Sequence, residues 1–290
     1  MLGIIGGSGL YDIEGLTHIE WLDVESAFGK PSDRLLKGKL NGSDIVFLPR
    51  HGREHTLSPS KINYRANIDV LKKVGVNSIV SVSAVGSLSD KLNPGSVVIV
   101  DQFIDRTFAR EKSFFSDCIA AHVSMADPVC ACLAEKIEIS AKKFTQDVTK
   151  GGTYLVMEGP QFSTRAESRL YRSWQCDVIG MTNMPEAKLA REAEICYATI
   201  AMVTDYDCWH PDHDDVDVNE VIKNLKNNIH IAKKIIHDLV VSLDINFATK
   251  CDRGCNNSLD NAVMTSPSSF RQDTLKALEA VAGRVLKKEN

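Results

Sequence analysis

The stretch LGIIGGSGLYD, residues 2–12, places a short apolar strand directly before a glycine-rich loop. In such a loop the backbone N–H groups can turn towards an anion, and the hydroxyl of Ser8 adds a further donor. A tight turn between two elements of a sheet explains the same residues equally well. The glycines do not follow the G-x-G-x-x-G spacing, which argues against an oxidoreductase that binds a dinucleotide here.

Outward from this strand, short apolar runs alternate with helical patterns along most of the chain, which is typical of an α/β fold. The pattern predicts a single domain with a mostly parallel β-sheet and helices on its faces. Further strands are predicted at residues 79–83, 97–101, 153–157, 177–180 and 197–204, and Asn41-Gly42 predicts a hairpin turn within residues 37–48. Helices are predicted at residues 60–74, from Pro128 onwards, and at 166–174, 185–193 and 218–243.

The C-terminal part of the chain differs in character from the rest. Residues 246–267 are polar and rich in turn-forming residues, which predicts a loop, and a terminal helix follows them. We therefore assign residues 1–245 to the main domain and expect residues 246–290 to form a loop and a helix packed on that domain.

The composition argues against several classes of protein. The 290 residues carry 34 Lys and Arg against 38 Asp and Glu, a formal net charge of −4, whereas a nucleic-acid binder normally has a basic face. With 43% hydrophobic and 25% charged residues, the composition is that of a globular protein. The N-terminal residues lack the basic segment of a signal peptide, and no apolar run approaches the ~18 residues of a membrane helix. The eight cysteines are dispersed, as in reduced proteins, and we expect a cytoplasmic location.

Arg50 and His51 follow directly after a predicted strand, and Gly52 allows the chain to turn there. Open α/β sheets bind their ligands at the carboxyl ends of the strands. The planar guanidinium fork suits a phosphate, and the imidazole adds a donor beside it. The pair therefore predicts an anion site, although a polar surface loop is the more common meaning of an isolated Arg-His pair.

Two further segments offer small or aromatic side chains near strand ends. In SVSAVGSL, residues 81–88, the small side chains let a ligand approach the backbone, or let the strand pack tightly against a neighbour. In MEGPQFSTRAES, residues 157–168, Phe162 offers a flat apolar wall for a planar base before Thr164 caps a helix. An aromatic residue in such a position belongs more often to the core.

Asp205 and Asp207 lie at the end of a long apolar strand, where strand alternation would place both side chains on one side. Two carboxyls cannot enter the core unpaired, so we expect them to face a site above the sheet edge. A carboxyl in a partly apolar pocket has a raised pKa and can hold a proton for a ring nitrogen. Carboxylates at strand ends also bind metals, but the run HPDHDD at residues 210–215 lacks a ligand spacing, which argues against a metal site.

Taken together, these segments resemble the trimeric purine nucleoside phosphorylase family, in its methylthioadenosine-cleaving branch. The resemblance runs in order through residues 1–243 and is carried by GGSGLYD, RHGREH, PSKINYRAN, SAVGSL, DQFIDRT, EGPQFSTRAES, MTNMPE and TDYDCW. It implies the nucleoside phosphorylase fold, a single α/β domain with a twisted mixed β-sheet flanked by α-helices. It also implies a pentosyltransferase that works without a cofactor and uses inorganic phosphate to split methylthioadenosine into adenine and 5-methylthioribose 1-phosphate. It also implies a role in purine and methionine salvage, a homotrimer or a dimer of trimers, and no nucleic-acid or membrane partner.

The resemblance further implies roles for individual residues. The phosphate-binding set would be Ser8, Arg50, His51, Ser83, the Ala84 backbone and Thr182. Met181 would meet the ribose, Asp205 the purine N7 and Asp207 the 6-amino group, with Asp205 and His51 as the catalytic residues. Phe162 and Ser163 would border the base, and Val218 together with His122 of a neighbouring subunit would shape the 5′-methylthio pocket.

The two aspartates indicate which base is bound. An ionised carboxylate only accepts hydrogen bonds and favours a 6-amino purine, whereas a 6-oxo purine would prefer an asparagine. The alternatives are a methylthioinosine or broad purine nucleoside phosphorylase, and a nucleoside-binding protein without activity.

Cys251 and Cys255 form a C-x-x-x-C spacing with no second pair beside it in the sequence. That spacing argues against a zinc site and leaves either a strained disulfide or two free thiols.

Overall fold

The computed structural model has eleven strands and seven helices within the part of the chain that it describes. The described residues are 1–7, 9–116, 118–211, 218–244, 247–248 and 251–287, without the side chains of 218–223. The strands are β1 (Leu2–Gly6), β2 (Leu16–Leu22), β3 (Leu35–Leu40), β4 (Ser43–Pro49), β5 (Ser78–Ser87), β6 (Val97–Ile99), β7 (Gln102–Arg106), β8 (Val148–Lys150), β9 (Thr153–Met157), β10 (Val178–Gly180) and β11 (Cys196–Asp205). The helices are α1 (Tyr64–Lys73), α2 (Ala131–Ala141), α3 (Arg165–Ser173), α4 (Asn183–Glu192), α5 (Val218–Ser242), α6 (Gln272–Ala277) and α7 (Glu279–Leu286).

These strands form one mixed sheet, which confirms the predicted α/β fold. Its main path runs β2-β3-β4-β1-β5-β10-β9-β7, and β5 also pairs with β11, which continues to β6 and then β8. The strands β4, β1, β5 and β11 are parallel to one another. Their carboxyl ends therefore meet at one edge of the sheet, and the residues that follow them are brought together there.

Helices cover both faces of the sheet, and alternate residues of each strand enter opposite cores. Ile5 packs in one core with residues of α1, α4 and α7, whereas its neighbour Ile4 packs in the other core with residues of α2 and α5. Burial on both faces explains why these strands appear in the sequence as apolar runs without polar alternation.

The hairpin predicted at Asn41-Gly42 is confirmed. The strands β3 and β4 pair antiparallel up to Leu40 and Ser43, and both turn residues have positive φ, as a tight hairpin turn requires. The strands β2, β7 and β8 were not predicted from the sequence. β2 and β7 are largely exposed or half-buried and β8 has only three residues, so none of them contains the apolar run by which a strand is recognised.

Three predicted helices are corrected by the structure. The helix expected at residues 60–74 begins only at Tyr64. The helix expected from Pro128 begins only at Ala131, because the Cys130 N–H donates to the Tyr197 carbonyl at 2.8 Å and holds the backbone extended. The expected terminal helix consists of two helices, α6 and α7, which meet at the buried Leu278.

The C-terminal helices pack on the body of the molecule. Val281 and Leu286 of α7 share a core with Ile68 and Leu71 of α1. The division of the chain at residue 245 stays a prediction.

Among the described residues, no helix has both the length and the apolar character needed to cross a lipid bilayer.

Candidate active site

The site lies where β5 changes its neighbour. β1 pairs with β5 only from Ser78 to Ser81, and β10 pairs with the same edge from Gly86 onwards. Between these two pairings, Ala84 is exposed although every other residue of β5 is buried. The sheet is therefore open along residues 82–85, at the carboxyl end of β1, which is where α/β sheets place their ligands.

Arg50 lies beside this opening as half of a buried ion pair. Its side chain is 3% exposed and that of Glu186 is 2% exposed, and Nε and Nη2 donate to the two carboxylate oxygens at 2.9 and 3.1 Å. Nη2 also donates to Ser81 Oγ at 2.6 Å, and Nη1 donates to the Val82 carbonyl at 3.0 Å. Burial alone would lower the pKa of Arg50, but the charge and hydrogen bonds of Glu186 raise it overall, so the guanidinium stays charged.

The ion pair changes what Arg50 can offer to an anion. Four of its five N–H bonds have acceptors among the described residues, and the remaining one is on Nη1, the nitrogen that binds Val82. The fork that sequence reasoning assigned to a phosphate therefore holds Glu186. Arg50 can contribute a single N–H bond to a ligand while Glu186 neutralises its charge.

Three hydroxyl groups meet at the open segment of β5. Ser83 Oγ lies 3.0 Å from the Tyr154 hydroxyl and 3.4 Å from Thr182 Oγ1. A side chain at Gly180 would collide with the Tyr154 hydroxyl, so the glycine makes this approach possible. The sequence-derived candidates Ser83 and Thr182 are thus brought together, next to the exposed Ala84. Hydroxyl groups can donate to an anion as well as accept, which suits a phosphate oxygen.

His51 is held in one tautomer. Its Nδ1 lies 2.8 Å from the Leu57 carbonyl, and because a carbonyl only accepts, Nδ1 carries the hydrogen. Burial lowers the pKa of His51 to about 4, so the imidazole is neutral near pH 7. Its Nε2 therefore presents a lone pair. The sequence predicted a donor at this position, whereas the neutral ring offers an acceptor.

Asp205 and Asp207 are brought together by a turn and not by strand alternation. β11 ends at Asp205, and Asp207 lies beyond the strand with a φ of 53°. The Asp207 N–H donates to Oδ1 of Asp205 at 2.8 Å, and the Thr204 hydroxyl donates to Oδ2 at 2.7 Å. Burial raises the pKa of both carboxyls, although these two hydrogen bonds oppose the shift at Asp205. A carboxyl with a raised pKa keeps its proton to higher pH, as a general acid must.

Replacing Gly86 by alanine is expected to disable the site without unfolding the protein. A Cβ at Gly86 would lie 2.8 Å from Oδ1 of Asp205 and 3.2 Å from a methyl carbon of Ile179, so the carboxylate would have to move. A displacement of roughly 1 Å at a reacting group can lower the rate about 10²-fold. Measuring the catalytic rate and Tm of Gly86→Ala tests this prediction, with Ser87→Ala as a control variant in the same strand. Full turnover in Gly86→Ala would contradict the assigned position of Asp205.

The remaining candidates lie around these groups. The Ser163 carbonyl accepts a hydrogen bond from the Cys208 thiol at 3.3 Å, which places Ser163 beside the turn that contains Asp207. Phe162 is 46% exposed, as expected of a wall that a ligand would cover. Met181 packs against Gly159, where a side chain would have to displace the Met181 sulfur and where φ is 66°.

One candidate, His122, is not joined to the site by the described contacts. His122 is exposed, and its N–H donates to the Ala262 carbonyl at 2.9 Å. Ser8, the side chain of Val218 and the acidic run at residues 212–215 lie outside the described residues.

Sequence reasoning missed the buried side chains that support the site. Arg110 donates from Nη1 to the Met181 and Met184 carbonyls, both at 2.6 Å, and from Nη2 to the Glu158 carbonyl at 2.7 Å. It therefore ties the loop after β9 to the loop before α4. No motif or spacing in the sequence points to Arg110. Glu186 ends the MTNMPE segment, but nothing in that segment indicates an ion pair with Arg50.

Comparisons with known proteins show the family of this chain. A family model described as the phosphorylase superfamily matches residues 1–241. The S-methyl-5′-thioadenosine phosphorylase of Rhodospirillum rubrum is 57% identical over 286 residues, which cover 99% of this chain and 97% of that protein.

Two solved structures show the same fold. A methylthioadenosine phosphorylase from an antarctic soil metagenomic library has a TM-score of 0.90 and 46% identity, covering 97% of this chain and 98% of that one. The methylthioadenosine phosphorylase of Schistosoma mansoni, in complex with adenine, has a TM-score of 0.80 and 32% identity, covering 89% of this chain and 98% of that one. The resemblance drawn from the sequence motifs is confirmed, and the chain belongs to the phosphorylase superfamily.

Proposed function

We propose that this chain catalyses the phosphorolysis of methylthioadenosine. Phosphate bonds to C1′ of the ribose, the N-glycosidic bond breaks, and the products are adenine and 5-methylthioribose 1-phosphate. One observation carries the proposal, namely the 57% identity over nearly the whole chain to a protein that bears this activity in its name. The geometry supports it. Ser83 belongs to the hydroxyl cluster that suits an anion, and Gly86 is the residue of β5 that pairs with Asp205. Ser83 and Gly86 are three residues apart, which is about 10 Å along the strand at ~3.3 Å per residue.

Phosphate is proposed to bind at the opening of β5. Its donors would be the hydroxyls of Ser83 and Thr182, the backbone at Ala84, the glycine loop and one N–H bond of Arg50. Because Glu186 already neutralises Arg50, this pocket would hold the anion mainly by hydrogen bonds and would leave its negative charge largely uncompensated. That charge can then stabilise the cationic character that develops at C1′ as the glycosidic bond breaks.

Asp205 is proposed to share a proton between its carboxyl group and N7 of the leaving adenine. As the bond to C1′ breaks, the electron pair moves onto the purine, and a hydrogen bond or proton at N7 stabilises it. Asp207 would accept from the 6-amino group. Asp207 is 5% exposed, so little water competes for its carboxyl.

Phosphate and sulfate are expected to bind this site differently, because neutral His51 offers an acceptor. Hydrogen phosphate can donate its P–OH to Nε2, whereas sulfate has no proton to give near pH 7. An unmet hydrogen bond of this kind costs about 1–3 kcal/mol, so we expect sulfate to bind about tenfold more weakly at pH 7.5. Sulfate affinity should rise as the pH falls towards about 4, where the ring gains a proton. Calorimetric titration with both anions measures this.

The control for that titration is His51→Gln, whose side-chain amide can donate to either anion. The variant should bind phosphate and sulfate with similar affinity. Equal affinities in the unchanged protein at pH 7.5 would contradict the proposed role of His51.

A nucleoside panel, assayed with and without inorganic phosphate, tests the proposed reaction. We expect adenine release from methylthioadenosine that requires phosphate and yields the sugar 1-phosphate. A preference for methylthioinosine or inosine would favour the 6-oxo alternative. Adenine binding without phosphate-dependent turnover would indicate a nucleoside-binding protein.

A homotrimer is proposed from the family resemblance, with His122 of a neighbouring subunit lining the 5′-methylthio pocket. The exposed positions of His122 and of Phe108, which is 80% exposed, suit residues that a second subunit covers. Light scattering of the purified protein measures the mass. A monomer with full activity would rule out a contribution of His122 across an interface. We place the enzyme in the cytoplasm.

A further inference from the structure

Four cysteines from distant parts of the chain meet at one point in the structure. Cys130 precedes α2, Cys196 begins β11, and Cys251 and Cys255 lie in the C-terminal segment. Their sulfur atoms all lie within 4.8 Å of one another, and Cys130, Cys196 and Cys255 are each 1% exposed. The C-x-x-x-C pair that lacked a partner in the sequence therefore has one in the fold, supplied by Cys130 and Cys196.

The spacing of these sulfurs matches a tetrahedral metal site. A Zn–S bond of about 2.3 Å places the sulfurs of a tetrahedron about 3.8 Å apart. The sulfurs of Cys130 and Cys251 are 3.7 Å apart, and all four cysteines are free. Two disulfides would instead need two pairs each drawn together to about 2.05 Å. A set of four soft sulfur ligands in mutual contact favours zinc among the common divalent metals.

The surroundings of the cluster suit an anionic metal–thiolate centre. Arg191 Nη1 lies 3.6 Å from the sulfur of Cys255, so a cation stands beside the thiolates and can donate to one of them. A cavity of about 480 Å³ is lined by Arg191, by both neighbours of Cys130 and by Gly254, which precedes Cys255. The cavity therefore lies close to the cluster, and Cys251 is only partly buried, so an ion can approach the sulfurs.

We propose that Cys130, Cys196, Cys251 and Cys255 bind one Zn²⁺ ion in a structural four-thiolate site. The four thiols release their protons to solvent on binding, which leaves a centre of charge −2 beside Arg191. The ion would tie the C-terminal segment to the start of β11 and to the residue before α2. Asp205 stands at the opposite end of β11, about 30 Å away at ~3.3 Å per residue, so the site is separate from the proposed active site.

Metal analysis of the full-length protein tests the proposal. Protein purified with a reductant and without chelators is expected to contain about one zinc per chain by mass spectrometry of the elements. Replacing the zinc with Co²⁺ should produce the absorption of tetrahedral cobalt with sulfur-to-metal charge transfer. Removing the metal with a chelator should lower Tm, and adding zinc should restore it.

The variants Cys251→Ser and Cys255→Ser are expected to lose nearly all of the bound zinc. Cys132→Ser is the matched control, because Cys132 lies in the same region but donates its thiol hydrogen to Asp252 at 2.8 Å, and this variant should keep its zinc. Protein without zinc, or with iron in its place, would overturn the proposal. An intact mass lighter by four hydrogens, which indicates two disulfides, would overturn it as well. The metal content and cobalt spectrum of the unchanged protein decide the matter even if a variant fails to fold.

Discussion

Asp205→Asn is expected to lower kcat/KM for methylthioadenosine by about 10²- to 10⁴-fold, the usual contribution of a general acid or base. The asparagine cannot supply a proton to N7 of the leaving adenine. The fold should tolerate the change, because the Thr204 hydroxyl already lies 3.2 Å from the Val85 carbonyl and can turn to donate there while accepting from the new amide. Steady-state kinetics measured together with Tm separates the lost chemistry from lost stability.

Asp207→Asn is the matched comparison for this experiment. Asparagine accepts a positive φ readily, so the turn at residue 207 should persist. Because Asp207 is assigned to the 6-amino group, this variant should lose less rate and shift preference towards 6-oxo nucleosides. Asp205→Asn should also shift preference in that direction, but with the larger loss of rate. Unchanged kinetics in Asp205→Asn would remove Asp205 from the mechanism.

The pH dependence of kcat provides a second test of the Asp205 assignment. Burial raises the pKa of this carboxyl, so its protonated form persists to higher pH than in an exposed aspartate. If the protonated form is the active one, kcat should be constant at lower pH and fall as the pH rises through that raised value. The falling limb should be absent in Asp205→Asn.

Arg50→Met is expected to destabilise the protein and to weaken phosphate binding together. The substitution leaves the Glu186 carboxylate buried without its cation, and breaking a buried pair in this way costs about 3–5 kcal/mol. For a chain of this size that corresponds to a Tm lower by roughly 10 °C. The KM for phosphate should rise by more than about tenfold, since a charge-assisted hydrogen bond to the anion is lost.

The double variant Arg50→Met/Glu186→Gln separates these two effects. Glutamine carries no charge and can still accept from Ser81 and the Tyr197 hydroxyl, both of which donate to Glu186 in the structure. Thermal unfolding should show most of the stability restored, while the KM for phosphate stays high. If the KM for phosphate returned with the stability, Arg50 would act only through the fold.

The parts of the fold that could be predicted are those encoded locally. The apolar runs at residues 153–157 and 197–204 each mark a strand because both faces of those strands are buried. Asn41 and Gly42 form a tight turn because both residue types tolerate the positive φ angles that it needs. The strand β2 has no such signal, since its residues are mostly exposed and its pairing with β3 is a tertiary contact.

The same distinction holds for the candidate site. Arg50, His51 and Asp205 could be selected from the sequence because each stands at or just after the end of an apolar strand, and strand ends converge in this class of fold. The ion-pair partner of Arg50 could not be selected in this way, because Glu186 is 136 residues away along the chain and no sequence spacing relates the two residues. The tautomer of His51 likewise depends on the Leu57 carbonyl, whose position is set by the folded loop.

The sequence alone determined the class of fold, most of the buried strands and which polar groups stand at strand ends, because periodicity and turn chemistry act over a few residues. The tertiary structure decided the charge state and hydrogen-bonding role of those groups. Burial and contacts between distant segments pair Arg50 with Glu186, make His51 an acceptor and bring the four cysteines together. Such effects depend on distances in space, and these distances cannot be read from the separation of residues along the chain.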